Sequence, residues 1–176
     1  MLIVSGDFEL TMDELRAVTR YVVQHAEDVL PVFEQAVPDD SRPCAAIDAA
    51  WTFVNGARRT KLQRVTSVDA HRAARSAPSE AAQLAARCAG DAASAAYLHP
   101  IAKATQVGHI LRAAASTARI GELEGGTTGE AVLQQSLQRA TPQLLDVLRR
   151  YPPAHGGSSR VAQLMTALDQ SLRGAS

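Results

Sequence analysis

Aromatic residues are scarce in this 176-residue chain, with one Trp, three Tyr and three Phe. An interaction surface built on it has to use arginine as its anchor. Cysteine is scarcer still: Cys44 and Cys88 lie far apart among alanines, without the CxxC or Cys/His spacing that zinc or redox chemistry requires, and both read as buried thiols. Excess charge of either sign is missing too. Lys plus Arg equals Asp plus Glu at 18 each, which excludes a whole-chain field drawing the protein to nucleic acid or to anionic lipid. All the cations except Lys61 and Lys103 are arginines, and about a fifth of the chain is alanine, a usage that points to a GC-rich bacterial coding sequence.

No stretch approaches the roughly 20 apolar residues of a membrane span, and the short apolar run before Gly6 lacks the basic start of a secretory signal. The expected compartment is the cytoplasm, with no membrane partner. The phosphate-cradling GxxxxGK[ST] loop is missing, as are GxGxxG, HExxH and GxSxG, so no catalytic residue and no cofactor are assigned. The five histidines are dispersed, and none forms the Glu-x-x-His pair on which metal sites in helical bundles lean. No metal site is expected.

What is present is helical periodicity. Thr11 with Glu14 forms a capping-box pattern that predicts a helix from Met12, with Leu15, Val18, Val22 and Val29 on one face, and Pro31 stops it, bends it or opens a further turn. Pro43 suits the first turn of a second helix, in which Trp51 joins Ile47 and Val54 on the apolar face and is expected to pack in the core. Residues 57–65, rich in Arg, Lys, Thr and Gln with only Leu62 and Val65 to bury, read as a surface connection. Thr66 to Asp69 then resembles another capping box opening a third helix.

From Glu80 the alanines 82, 85, 86, 89, 93 and 96 put a stripe of small side chains on one helix face, against which a helix of the same chain or of a second copy can approach closely. His99-Pro100 breaks the chain before a long helix to about Leu123, the 125–129 run of Gly and Thr is a loop, and further helices follow Pro142 and Gly157. Leu2 to Val4 could add one short strand. The pattern predicts an all-α fold, an antiparallel bundle of about six to eight helices in a single domain, with residues 7–124 as the core and 128–176 packed on it.

Polar residues on these helices supply the candidate site. Thr105, His109, Arg112, Ser116 and Arg119 fall on one stripe, to be read as a solvated face or as the lining of a polar pocket, with Gln106 three residues from His109. Asp69, His71, Arg72 and Arg75 occupy adjacent faces of the third helix, where Asp69 and Arg72 can pair on the surface. Asp40 can cap the second helix while Arg42 reaches a carboxylate on a neighbouring one. His99, at a helix boundary, is either a packing residue or a pocket residue.

The succession Asp40-Ser41-Arg42-Pro43 with Trp51 and Gly56, Ala70-His71-Arg72-Ala73-Ala74-Arg75, Leu98-His99-Pro100 and Gln106-Val107-Gly108-His109 resembles the immunity proteins of the Imm-5-like family, over about residues 7–124. The resemblance implies a small all-α bacterial protein that protects its host by binding the cognate toxin of a polymorphic toxin system. Asp40, Arg42, His71, Arg75, His99, Gln106 and His109 are the positions that match the family's polar motifs. One departure concerns charge: immunity proteins against nucleases are often acidic, and this chain is neutral. Three functional classes are therefore expected to compete: a protein-binding module for a toxin; a helical small-molecule binder or enzyme whose pocket gathers His71, Arg75, His99, Gln106 and His109; and a homodimeric scaffold built on the alanine stripe.

Overall fold

In the computed structural model, which describes residues 2–175, the Thr11 hydroxyl accepts the Glu14 amide proton at 3.1 Å and the Glu14 carboxylate takes the Thr11 amide at 2.8 Å. This reciprocal cap opens α1, Met12–Ala36, which runs on through Pro31. Pro31 is exposed, so the carbonyl freed by its missing N–H can be hydrated, and the helix continues. Before α1 the expected single strand is a small antiparallel hairpin, β1 (Ile3–Ser5) with β2 (Glu9–Thr11), in which Val4 faces Leu10.

The second helix, α2, spans Arg42–Val54 with Pro43 in its first turn. The next departs from expectation, because α3 begins at Lys61 and runs to Ser76. Its cap is Thr60, whose side chain takes the Leu62 amide while the Gln63 carboxamide takes the Thr60 amide. Thr66 is thus inside the helix, where its hydroxyl donates back to the Leu62 carbonyl at 2.7 Å instead of starting a new turn. Leu62 and Val65, expected to be buried, stand exposed.

Then come α4 (Glu80–Ser94), α5 (Val107–Glu124), α6 (Gly129–Arg139), α7 (Pro142–Arg149) and α8 (Arg160–Gly174). Ser79, Thr128, Thr141 and Ser159 cap four of these through their hydroxyls, and Gly125 closes α5 in the left-handed conformation that favours glycine. The fold is the expected all-α bundle, joined among the described residues by the small two-stranded hairpin and two short 3-10 turns, Ala95–Tyr97 and Ala104–Gln106.

Within this bundle α4 is central, packing on α1, α2, α3 and α5. Ala82, Ala85, Ala86, Ala89 and Ala93 are each fully buried, so the small-residue stripe serves packing inside the chain. Larger side chains from around it, Leu15, Val18, Phe33, Phe53, Ile110 and Leu111, fill the core. On the other side α5 carries α6 and α8, and α7 lies on α1. Two expectations about single residues change: Trp51 is half-buried at the edge of the core, and Cys44 is half-buried while Cys88 is fully enclosed. Burial pushes the Cys88 thiol up, which keeps it protonated and unreactive.

Candidate functional site

The polar stripe of α5 is neither a solvated face nor a simple pocket wall. Thr105 lies exposed in a short turn ahead of α5, and the rest of the stripe borders a seam between helices, centred on an acid that the motifs did not single out. Asp91, nearly fully buried in α4, accepts two hydrogen bonds from Arg112 of α5, Nε to Oδ2 at 2.9 Å and Nη2 to Oδ1 at 2.7 Å. This fork is the geometry in which guanidinium and carboxylate pair best, and it fastens α4 to α5. Ser116, a turn further on, is buried in the same seam, and Arg119 pairs with Glu80 of α4.

His71 reaches the seam from α3, with its Nε2 3.6 Å from Asp91 Oδ1. It can do so because residue 90 is glycine: a Cβ there would lie 2.7 Å from the imidazole ring. The Ser67 hydroxyl, donating to the Gly90 carbonyl at 2.8 Å, holds α3 at that close approach. Burial lowers the His71 pKa, against the pull of Asp91 and helped by Arg112, Arg87 and Arg75. At neutral pH this contact is a neutral imidazole beside a carboxylate, not an ion pair. His109, on the same side of α5, is likewise held low, by burial first and Arg112 second.

Beside the seam, His99, Gln106 and His109 come together around a cavity of about 220 Å3, completed by Ser94, Tyr97 and Leu98. Gln106 is only 8% exposed and its Oε1 has no hydrogen-bond partner among the described residues. The larger cleft of the molecule, about 520 Å3, lies elsewhere, against α1 and α7. Its Arg16 and Arg139 already pair with Asp13 and Asp28, and its Arg20 lies over the Trp51 ring.

The remaining sequence-selected residues do not converge on this cavity. Arg75 is exposed one turn beyond His71 on α3. Asp40 and Arg42 lie at the start of α2 and bind each other: Asp40 Oδ1 accepts the Arg42 backbone amide at 3.1 Å and its Nε at 2.9 Å. The N-cap position of α2 is Ser41, without a side-chain cap bond, and Asp40 sits one residue before it, while Arg42 turns back to the Asp40 carboxylate instead of reaching a neighbouring helix. The hydrogen bonds from Arg42 lower the Asp40 pKa, and Arg42 in turn feels the charge of Asp69 on α3. Asp69 and Arg72 make the expected surface pair at 3.3 Å. Among the described residues no group of three His, Cys, Asp or Glu side chains could hold a metal ion, and no helix is long and apolar enough to cross a membrane.

These features define a class: an all-α bundle with a buried Asp–Arg fork at its centre and a histidine-lined hollow beside it. Comparison with known families makes the class specific. The chain belongs to the Imm-5-like family, whose model, described as "Imm-5 like putative immunity protein", matches residues 9–139. That match takes in α1 to α6 and every sequence-selected site residue. Searches of curated proteins and of solved structures give no match.

Proposed function

We propose that the protein is an immunity-type binding module that neutralises a cognate bacterial toxin by occupying it, without turnover. The family match across residues 9–139 carries this reading. The seam agrees with it, because both oxygens of Asp91 are engaged by Arg112 and the one acid at the centre of the site holds helices together. His71 and Arg75, at the outer edge of that seam, are then contact residues. Co-expression of the full chain with each toxin domain encoded beside its gene is expected to restore growth against one of them. Restored growth together with a stoichiometric complex supports neutralisation by binding, and growth restored against none overturns it.

A second reading, a small-molecule binder, is favoured by one observation: the unpartnered Gln106 Oε1 at the cavity shared with His99 and His109. A buried acceptor without a donor costs roughly 1–3 kcal/mol, which a ligand bearing an N–H or O–H group would recover. In a thermal-shift screen of such small donors, a compound that stabilises the wild-type chain and not Gln106→Met would establish this reading. Absence of any such compound would end it.

A further inference from the structure

We propose that the outer face of α3 is the surface that docks the toxin, and that the patch it meets is a protein surface with carboxylates around an apolar centre. The inference rests on the immunity reading and gives it a place and a chemistry. Its first support is burial. Six large apolar side chains stand exposed among the described residues, and three of them, Leu62 at 48%, Val65 at 54% and Val68 at 49%, follow one another along α3. Isolated exposed apolar residues need no explanation, but three on adjoining turns of one helix do. The helix has no intramolecular use for them, since Gln63, Thr66, Ser67, Ala70, Ala73 and Ala74 make up its inward face.

Charge supplies the second support and names the occupant. Of the chain's 18 cations, six fall within residues 57–76, against one of its 18 carboxylates, Asp69. The neutral total therefore conceals a polarised molecule. At 100° per residue, Lys61, Arg72 and Arg75 share the outward side of α3 with Val65 and Val68, and Arg64 flanks them. Arg59 and Arg64 are also ordered in advance, lying over the Tyr97 ring at 4.6 and 4.0 Å, which lowers the entropy lost on docking.

A phosphate backbone would satisfy the arginines and leave the leucine and valines facing water. A protein patch with an apolar centre and an acidic rim satisfies both sets at once. The same face also explains why the sequence-selected residues seem scattered. His71 and Arg75 border it on one flank, and Asp69, with Arg42 near it, on the other, so residues that share no cavity share one surface.

The test replaces the centre and the rim together in the full chain, as V65D with R72E. Both positions are exposed, so the melting temperature should stay at the wild-type value. Against the toxin domain selected by growth rescue, calorimetry is expected to show affinity falling by about 100-fold or more, while Q138E on the exposed side of α6 leaves it unchanged. Wild-type affinity should also weaken as salt rises from about 50 to 500 mM, as charge pairing at a rim requires. A chain that protects against a toxin but binds it equally well with V65D/R72E overturns the surface and leaves the immunity reading standing. A chain that protects against none overturns both. Micromolar binding of a DNA duplex at about 150 mM salt, lost in R72E, would show that the face reads phosphate and would overturn the protein occupant.

Discussion

Acidification from about pH 6.5 to 4 is expected to remove about 3 kcal/mol of stability through one side chain, His25. This imidazole is fully enclosed in α1, edge-on to the Tyr21 ring at 5.0 Å. Arg139 of α6 donates to its Nδ1 at 3.3 Å, which puts the ring proton on Nε2, where it has no partner among the described residues. A second proton would set a cation against Arg139 inside the protein. Burial, aided by Arg139 and opposed by Asp28, pushes the pKa down to about 4. The folded state thus refuses a proton that the unfolded chain accepts below about 6.5, so stability falls as the pH falls through that window. Urea unfolding at several pH values should show this slope, and His25→Gln, which cannot titrate, should make it clearly shallower, leaving the contributions of His71 and His109. An unchanged slope in that variant would place the acid sensitivity elsewhere.

Replacement of Arg112 by Met is expected to destabilise the chain by about 3 kcal/mol at neutral pH, the low end of the range for breaking a buried pair, because Arg112 itself is partly exposed. The penalty arises at Asp91, left enclosed without its fork. His71 is then its nearest partner, freed of one of the charges that hold its pKa down. In the variant the His71 pKa rises toward, and stays below, its unfolded value, because burial, the largest cause, remains. The variant therefore loses less stability than the wild type as the pH falls below about 6.5. The gap between wild type and R112M should accordingly narrow near pH 5.5, and the His25 contribution cancels because both chains carry it. Removing both partners, as D91A/R112M, should recover most of the loss; if it does not, packing and not charge holds the seam.

Much of the helical layout was legible in the chain, because caps are local. The reciprocal bonding of Thr11 and Glu14 needs only their spacing, and the break at Pro100 needs only the ring of proline. The start of α3 was legible too, in Thr60 and Gln63, but it lies in a stretch so polar that it reads as a loop. Leu62 and Val65 misled in the other direction: apolar residues imply burial, and on this helix they point outward. Asp91 was the least visible. Alone among alanines in α4 it has no motif, and its meaning arises only when Arg112, 21 residues away, folds across to meet it. The signal was the isolated acid itself, since a charge amid residues too small to shield it has to be paired.

The contrast between α4 and α3 bears on how such a protein can change over generations. An alanine flush against four neighbouring helices admits no larger side chain without displacing one of them, so nearly every substitution along the inner side of α4 is penalised. The outward side of α3 carries no such constraint, since its side chains touch little within the molecule and exposed substitutions there shift stability by roughly half a kcal/mol or less. The architecture thus separates what must stay fixed from what is free to drift, and the outward face of one helix can change its side chains while the scaffold beneath it stays the same.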